Sequence, residues 1–262
     1  PGPEAIEQAV LAAQRHALSL GVTSVHDMGL IQVDDSWAEI LRVYQRLLQG
    51  GQFNLRVCAH HRLPKWREVA ACGITKGFGN DRLRLGHMKA FSDGSLGSAT
   101  AWFLEPYSDV QPPSCGLPSD EMEDMEAMYE NMRGAAAAGL GLSIHAIGDR
   151  ANRVMLDLYE RLANECRGED CRWRIEHAQH LHPTDLPRFA ALGVIASMQP
   201  YHAIDDGRWA DRRLGLDRAR MAYPVRSLLD SGARICFGTD WPIAPLDPLL
   251  TIYAAVTRRT LD

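Results

Sequence analysis

The 262-residue sequence has no C-x-x-C pair among its six cysteines, no apolar run of membrane-spanning length and no run of Lys or Arg. Cys58 and Cys236 fall inside apolar, strand-like stretches, where cysteine behaves as a small hydrophobe. The cysteines therefore read as thiols in a reducing, cytoplasmic setting. Cys166 and Cys171 flank a charged turn and could be bridged only in principle. The lack of a long apolar run excludes a membrane-spanning helix, and Pro1-Gly2-Pro3-Glu4 does not read as a signal peptide. A net charge of −5 without basic clusters argues against a nucleic-acid surface. Internal repeats, low-complexity segments and linkers are also missing.

What remains is an ordinary globular composition, 46% hydrophobic and 23% charged. The length suits one α/β barrel-sized domain, and residues 1–262 read as a single such domain. Apolar spacing predicts helices over 4–20, 36–48, 64–72, 120–138, 149–164, 184–192, 221–230 and 248–258. Short apolar runs predict strands at 22–26, 55–59, 83–91, 141–144, 173–175, 194–197 and 235–237. Met122, Met125, Met128 and Met132 recur at spacings of three and four, the pattern of a core-facing stripe. Residues 92–118, rich in Gly and Pro, form a long loop of the kind that often serves as a lid. Residues 201–220 show no regular pattern.

Seven strands, each followed by a helix, predict a parallel sheet with right-handed crossovers. An open doubly wound sheet is the alternative, but the glycine fingerprint expected after its first strand is absent. A (β/α)₈ TIM-type barrel needs eight strands, so the expectation is an incomplete barrel of seven whose first strand is missing. Barrels of this type carry their chemistry at the C-terminal ends of the strands.

Four polar residues stand at such ends: Lys89, His145, His177 and Asp240. A lysine at the end of a buried strand needs either a carboxylate partner, such as Asp93, or chemical modification. Neutral imidazoles and a carboxylate are donors that a zinc-like divalent metal prefers. Lysine joins such a set only as its carbamate, formed with carbon dioxide, because an ammonium has no lone pair. His26, Asp27, His60 and His61 also end strands and are expected to hydrogen-bond around the site rather than enter it. His87 shares the face of Lys89.

Lys89-Ala-Phe-Ser-Asp-Gly-Ser-Leu-Gly-Ser98, His145-Ala-Ile-Gly-Asp149, Glu176-His-Ala-Gln179, Ser197-Met-Gln-Pro200 and Gly238-Thr-Asp-Trp-Pro242 together resemble the metal-dependent amidohydrolase superfamily. The nearest likeness is to its amidohydrolase 3 branch, the group similar to N-substituted formamide deformylase. The resemblance implies a bridging carboxylated Lys89, one metal held by His145 and His177, and a second held partly by Asp240. It implies zinc-activated water attacking a C–N bond, with Asp240 as the proton carrier. His202 and Trp241 lie beside these motifs in sequence, a position that substrate contact and loop packing explain equally well. The family's first-strand His-x-His pair and its small β-sandwich are not in this sequence, so the chain is expected to be a barrel fragment of a longer protein. His180-Leu-His182 has the right spelling, but it follows the sixth strand and is expected to support the site or lie on the surface.

The leading expectation is a hydrolase of amides, formamides or cyclic amides, acting on a small molecule, with homo-oligomerisation left open. A barrel fragment or binding module without a working metal centre is the alternative. A phosphoester or lactone hydrolase on the same metals is a third reading, since substrate choice lives in loops.

Overall fold

The structure, a computed structural model, describes residues 2–29, 36–165 and 172–260. The Cys166–Cys171 bridge considered above lies outside these residues. Helix α1 (Pro3–Ser19) starts on a proline with Glu4 in its first turn, which suits the helix dipole. Strand β1 (Ser24–Asp27) follows, then α2 (Ser36–Gln49), β2 (Arg56–Arg62), α3 (Trp66–Ala71) and β3 (Leu83–Phe91). After the long loop come α4 (Met125–Ala137), β4 (Gly141–Ala146), α5 (Asp149–Glu165), β5 (Arg174–His177), α6 (Leu186–Leu192) and β6 (Ile195–Met198). Three short helices, α7 (Pro200–Asp206), α8 (Ala210–Leu214) and α9 (Leu216–Arg220), fill the stretch that shows no pattern in sequence. Each is too short for an amphipathic period to emerge. The chain continues through α10 (Val225–Asp230), β7 (Ile235–Phe237) and α11 (Pro248–Thr257).

The seven strands form one all-parallel sheet in sequential order. The result is an α/β fold, an open (β/α) barrel of seven strands, and no pairing joins β1 to β7 among the described residues. The helices cover its outer face. Leu142, Ile144, Ile175, Ala196 and Met198 point outward from β4, β5 and β6 into the main core with Met132, Met155, Tyr159 and Phe189. A second core joins α1 and α2 to β1 and β2 through Val43, Leu47, Val57 and Ala59. Gln14 ties this corner together, donating to the Gln52 carbonyl at 2.9 Å and accepting from the Asn54 amide at 2.7 Å.

The methionine stripe is only partly internal. Met122, Met128 and Met132 are buried, but Met125 opens α4 and is 50% exposed. The long loop is not a free lid. Leu96, Phe103 and Tyr107 pack with Ile147, Ala210 and Leu214 in a core of their own. Arg218 also donates to the carbonyls of Glu105 and Pro106, clamping the loop against α8 and α9.

Candidate metal centre

His145, the fifth residue of β4, and His177, the last of β5, meet edge to face with ring centroids 4.5 Å apart. The backbone turns left-handed at His177 (φ 75°) and again at Asp240 (φ 58°), three residues after β7. Left-handed non-glycine residues cost free energy and cluster where side chains must be re-aimed for function. The two turns bring side chains from separated strands together: potential ligand atoms of His177, His202 and Asp240 all lie within 4.8 Å of one another. His202 comes from α7, and its Nε2 sits 3.6 Å from Asp240 Oδ2. In sequence, His202 is open to substrate contact or loop packing; its proximity to Asp240 appears only in the fold.

Burial, reinforced by His145, Lys89 and His202, keeps the His177 imidazole well below its usual pKa and therefore neutral, the form with a lone pair to give. Burial pushes the Asp240 carboxyl upward, opposed by His202, His145 and Lys89. The Lys89 amine is pulled down to about 8, again by burial, against the attraction of Glu176, Glu121 and Asp240. It donates to its neighbour's carbonyl, Ala90 O, at 2.9 Å and lies 3.8 Å from the centroid of the Phe91 ring. Neither Asp93 nor Asp240 forms an ion pair with it among the described residues, so the expected carboxylate partner is not found. Asp93 is engaged elsewhere, accepting from the amides of Trp102, Ile147 and Gly148 at 2.8, 3.0 and 2.8 Å. Trp241 turns toward His16 of α1, with centroids 6.0 Å apart, and is 44% exposed.

Beneath the mouth the barrel is polar. Arg174 and Glu176 pair at 2.8 Å, Ser143 donates to Glu176 at 2.5 Å, and Arg174 reaches Ser197 Oγ at 2.6 Å. Burial alone would raise the Glu176 carboxyl, but Arg174 and the Ser143 and Ser197 hydroxyls hold it below its usual value. The alternation Arg174-Ile-Glu176 is the signal that could have shown two inward polar residues.

His26, Cys58 and His60 form another close group, also within 4.8 Å. Its hydrogen bonds assign its lone pairs. Arg174 donates to His26 Nδ1 at 3.1 Å, so that nitrogen is an acceptor and His60 Nε2, also 3.1 Å away, must carry its proton. His60 Nδ1 then accepts from the His87 amide at 3.3 Å. With both acceptors used and a guanidinium adjacent, this group works as a hydrogen-bonded prop.

Asp27, His61, His180 and His182 are engaged in packing and local hydrogen bonds. Tyr44 and the Gly29 amide donate to Asp27, and His61 stacks on Trp37 at 3.7 Å. His180 is packed between Phe103 and Tyr223, and His182 caps the turn that precedes α6.

The Amidohydrolase family, in its amidohydrolase 3 branch, matches this chain over residues 2–262. The chain belongs to the amidohydrolase family. This amidohydrolase-family chain is 39% identical over 257 residues to the protein LONG AFTER FAR-RED 3 of Arabidopsis thaliana, covering 96% of the chain and 43% of that protein. Over 128 residues it is 30% identical to the N-substituted formamide deformylase of Arthrobacter pascens, covering 48% of the chain and 23% of that enzyme. The structure of an uncharacterised metal-dependent hydrolase from Pyrococcus horikoshii superposes with a TM-score of 0.84 at 32% identity, covering 98% of the chain and 49% of that one. The chain spans about half the length of the curated relatives it matches. No helix among the described residues is long and apolar enough to cross a membrane.

Proposed function

We propose that residues 1–262 are the barrel domain, within a longer protein, of a metal-dependent hydrolase that cleaves a C–N bond in a small amide, formamide or cyclic amide. The observation that carries this reading is the convergence of His177, His202 and Asp240 within 4.8 Å at the strand ends of an amidohydrolase-family barrel. Imidazole and carboxylate are hard-to-borderline donors that suit zinc. A divalent cation held there supplies Lewis acidity, lowering the pKa of water towards about 7 and polarising the scissile carbonyl. Asp240 takes the proton of the attacking water and hands it to the leaving nitrogen. Its burial favours that role, because a carboxyl raised above its usual range accepts a proton more readily.

Lys89 is read as the carbamate-forming lysine. Burial and an amine drawn down to about 8, which leaves about a tenth of it neutral at pH 7 against far less for an ordinary lysine, support a nucleophile able to add carbon dioxide. Trp241, beside Asp240 in sequence and exposed, offers an apolar surface to the nitrogen substituent. Among the described residues the outer edges of β1 and β7 are not paired with each other, which supports one further strand between them in the longer protein. The likeness to a formamide deformylase makes N-substituted formamides the first substrates to try.

The test is hydrolysis by the full-length protein. N-substituted formamides should be cleaved, chelation should abolish turnover and added zinc should restore it. Turnover unaffected by chelation, or zinc-dependent cleavage of phosphoesters or lactones alone, overturns the proposal; so does a full-length protein that binds no metal, the binding-module outcome.

A further inference from the structure

We propose that Asp206 is a positioning residue: bound by Gln179 and Tyr223, it holds α7 so that His202 stays against Asp240. This rests on reading the barrel mouth as the catalytic centre, and it concerns what keeps that mouth in shape rather than what fills it.

The argument starts from a helix that cannot stand alone. α7 has seven residues and no side-chain cap at its start, well short of the roughly 12–15 residues at which isolated helices become stable. It ends in Asp205 and Asp206, the wrong charge for the negative end of a helix dipole. Yet α7 carries His202 to 3.6 Å from Asp240 Oδ2, with its ring centroid 6.2 Å from that of His177. The His202 ring is not tethered there through Nε2, which is buried and makes no hydrogen bond among the described residues. Its place is therefore set by where α7 lies.

Asp206 supplies the anchor. It follows His202 by four positions, on the same side of the helix. Its Oδ2 accepts from Gln179 Nε2 at 2.6 Å and from the Tyr223 hydroxyl at 2.5 Å. Both donors are buried, Gln179 just beyond the end of β5 and Tyr223 in the turn before α10. They are also tied to each other, the Tyr223 amide donating to the Gln179 carbonyl at 2.6 Å. Tyr223 takes a left-handed φ of 52°, a conformation that persists only where its surroundings enforce it. Arg258, at the end of α11, does so by donating to the carbonyls of Ala222 and Tyr223 at 2.6 and 3.0 Å. One carboxylate oxygen thus joins α7 to a frame built from β5, the turn before α10 and α11. Two charge-assisted hydrogen bonds outweigh the mismatch with the dipole. Both go to the same oxygen, so an asparagine carbonyl in that place can accept both.

The experiment compares the full-length protein with its Asp206→Ala, Asp206→Asn and Tyr223→Phe variants. Mass spectrometry reads hydrogen exchange at backbone amides and at the C2 positions of histidine rings, and hydrolysis of N-substituted formamides gives kcat. Asp206→Ala should speed exchange of the α7 amides and of the His202 ring at least about tenfold, with the His145 and His177 rings unmoved. It should lower kcat about 100-fold, the scale of a misplacement of about 1 Å. Tyr223→Phe should shift both readouts in the same direction by less. Asp206→Asn should keep the wild-type exchange of His202 and stay within about tenfold in kcat, because it keeps the anchor and loses only its charge. Asp206→Asn as impaired as Asp206→Ala, with α7 exchanging at the wild-type rate, overturns the proposal, since the carboxylate would then act through its charge. Wild-type exchange of the His202 ring in Asp206→Ala overturns it as well. A wild-type protein that cleaves no amide overturns the catalytic reading of the mouth instead, while the exchange of His202 still decides whether Asp206 is its anchor.

Discussion

Nη1 of Arg174, on β5, lies 3.1 Å from Nδ1 of His26, on β1. Four strand intervals separate them, about 19 Å in a flat sheet at roughly 4.8 Å per strand. An arginine side chain cannot span that distance, so the sheet must curl until its inner face closes around this pair. The same guanidinium binds Glu176 and Ser197, making it the hub of the polar interior beneath the metal centre.

That hub sets a first expectation for stability. Glu176→Ala leaves Arg174 buried without its counter-charge and should cost about 3–5 kcal/mol. Replacing both by methionine should recover most of the loss, since a well-packed apolar pair can match a buried ion pair. Urea unfolding of the single and double variants measures both numbers. A Glu176→Ala cost under about 1 kcal/mol would show that water reaches the pair.

The loop between β3 and α4 hangs on Asp93, which accepts from three backbone amides. Asp93→Ala strands these donors at about 1–3 kcal/mol each. Cleavage by a protease in limiting amount should then move into residues 95–118, while the wild-type loop stays protected. Equal cleavage of both proteins in that region would remove Asp93 as the anchor.

Stability should fall on acidification below neutrality, in part through His180. Burial holds its pKa at about 3, against an ordinary value of 6.5. Between those values the unfolded chain binds a proton that the folded chain refuses, so stability is lost as pH drops from about 6.5 towards 3. The slope is about 1.4 kcal/mol per pH unit for this one group. His180→Phe, which keeps an aromatic ring between Phe103 and Tyr223, should flatten the slope by nearly that amount in unfolding experiments at pH 5.5 and 4. An unchanged slope would show that His180 protonates within the fold.

Asp240→Asn in the full-length protein should keep the fold and lose most turnover, because an amide cannot accept the proton at neutral pH. Circular dichroism and kcat, read with the metal content, check this together. Full activity with metal bound would move the proton-carrying role to another group.

The elements were largely legible because their signals are local. Helices such as α1 and α5 show their apolar stripe, and the glycine after α6 adopts the left-handed φ of 66° that ends a helix. The strand-end positions of Lys89, His145, His177 and Asp240 could be read from the alternation of strand and helix, because a parallel barrel gathers those ends on one face. What failed in sequence was short or non-local: α7, α8 and α9 span 7, 5 and 5 residues, fewer than a periodic pattern needs.

By itself, then, the sequence determined the order of elements, the parallel sheet and the family motifs, because each depends on neighbours a few positions away. Tertiary structure alone decided which polar groups share space. His202 meets Asp240 across 38 residues, and Arg174 meets His26 across 148. Those distances depend on how far the sheet curls and on two left-handed turns at His177 and Asp240, neither of which has a glycine to announce it. Lys89 shows both limits at once: its place at a strand end is a matter of sequence, while its depressed amine pKa comes from burial that only the closed sheet creates.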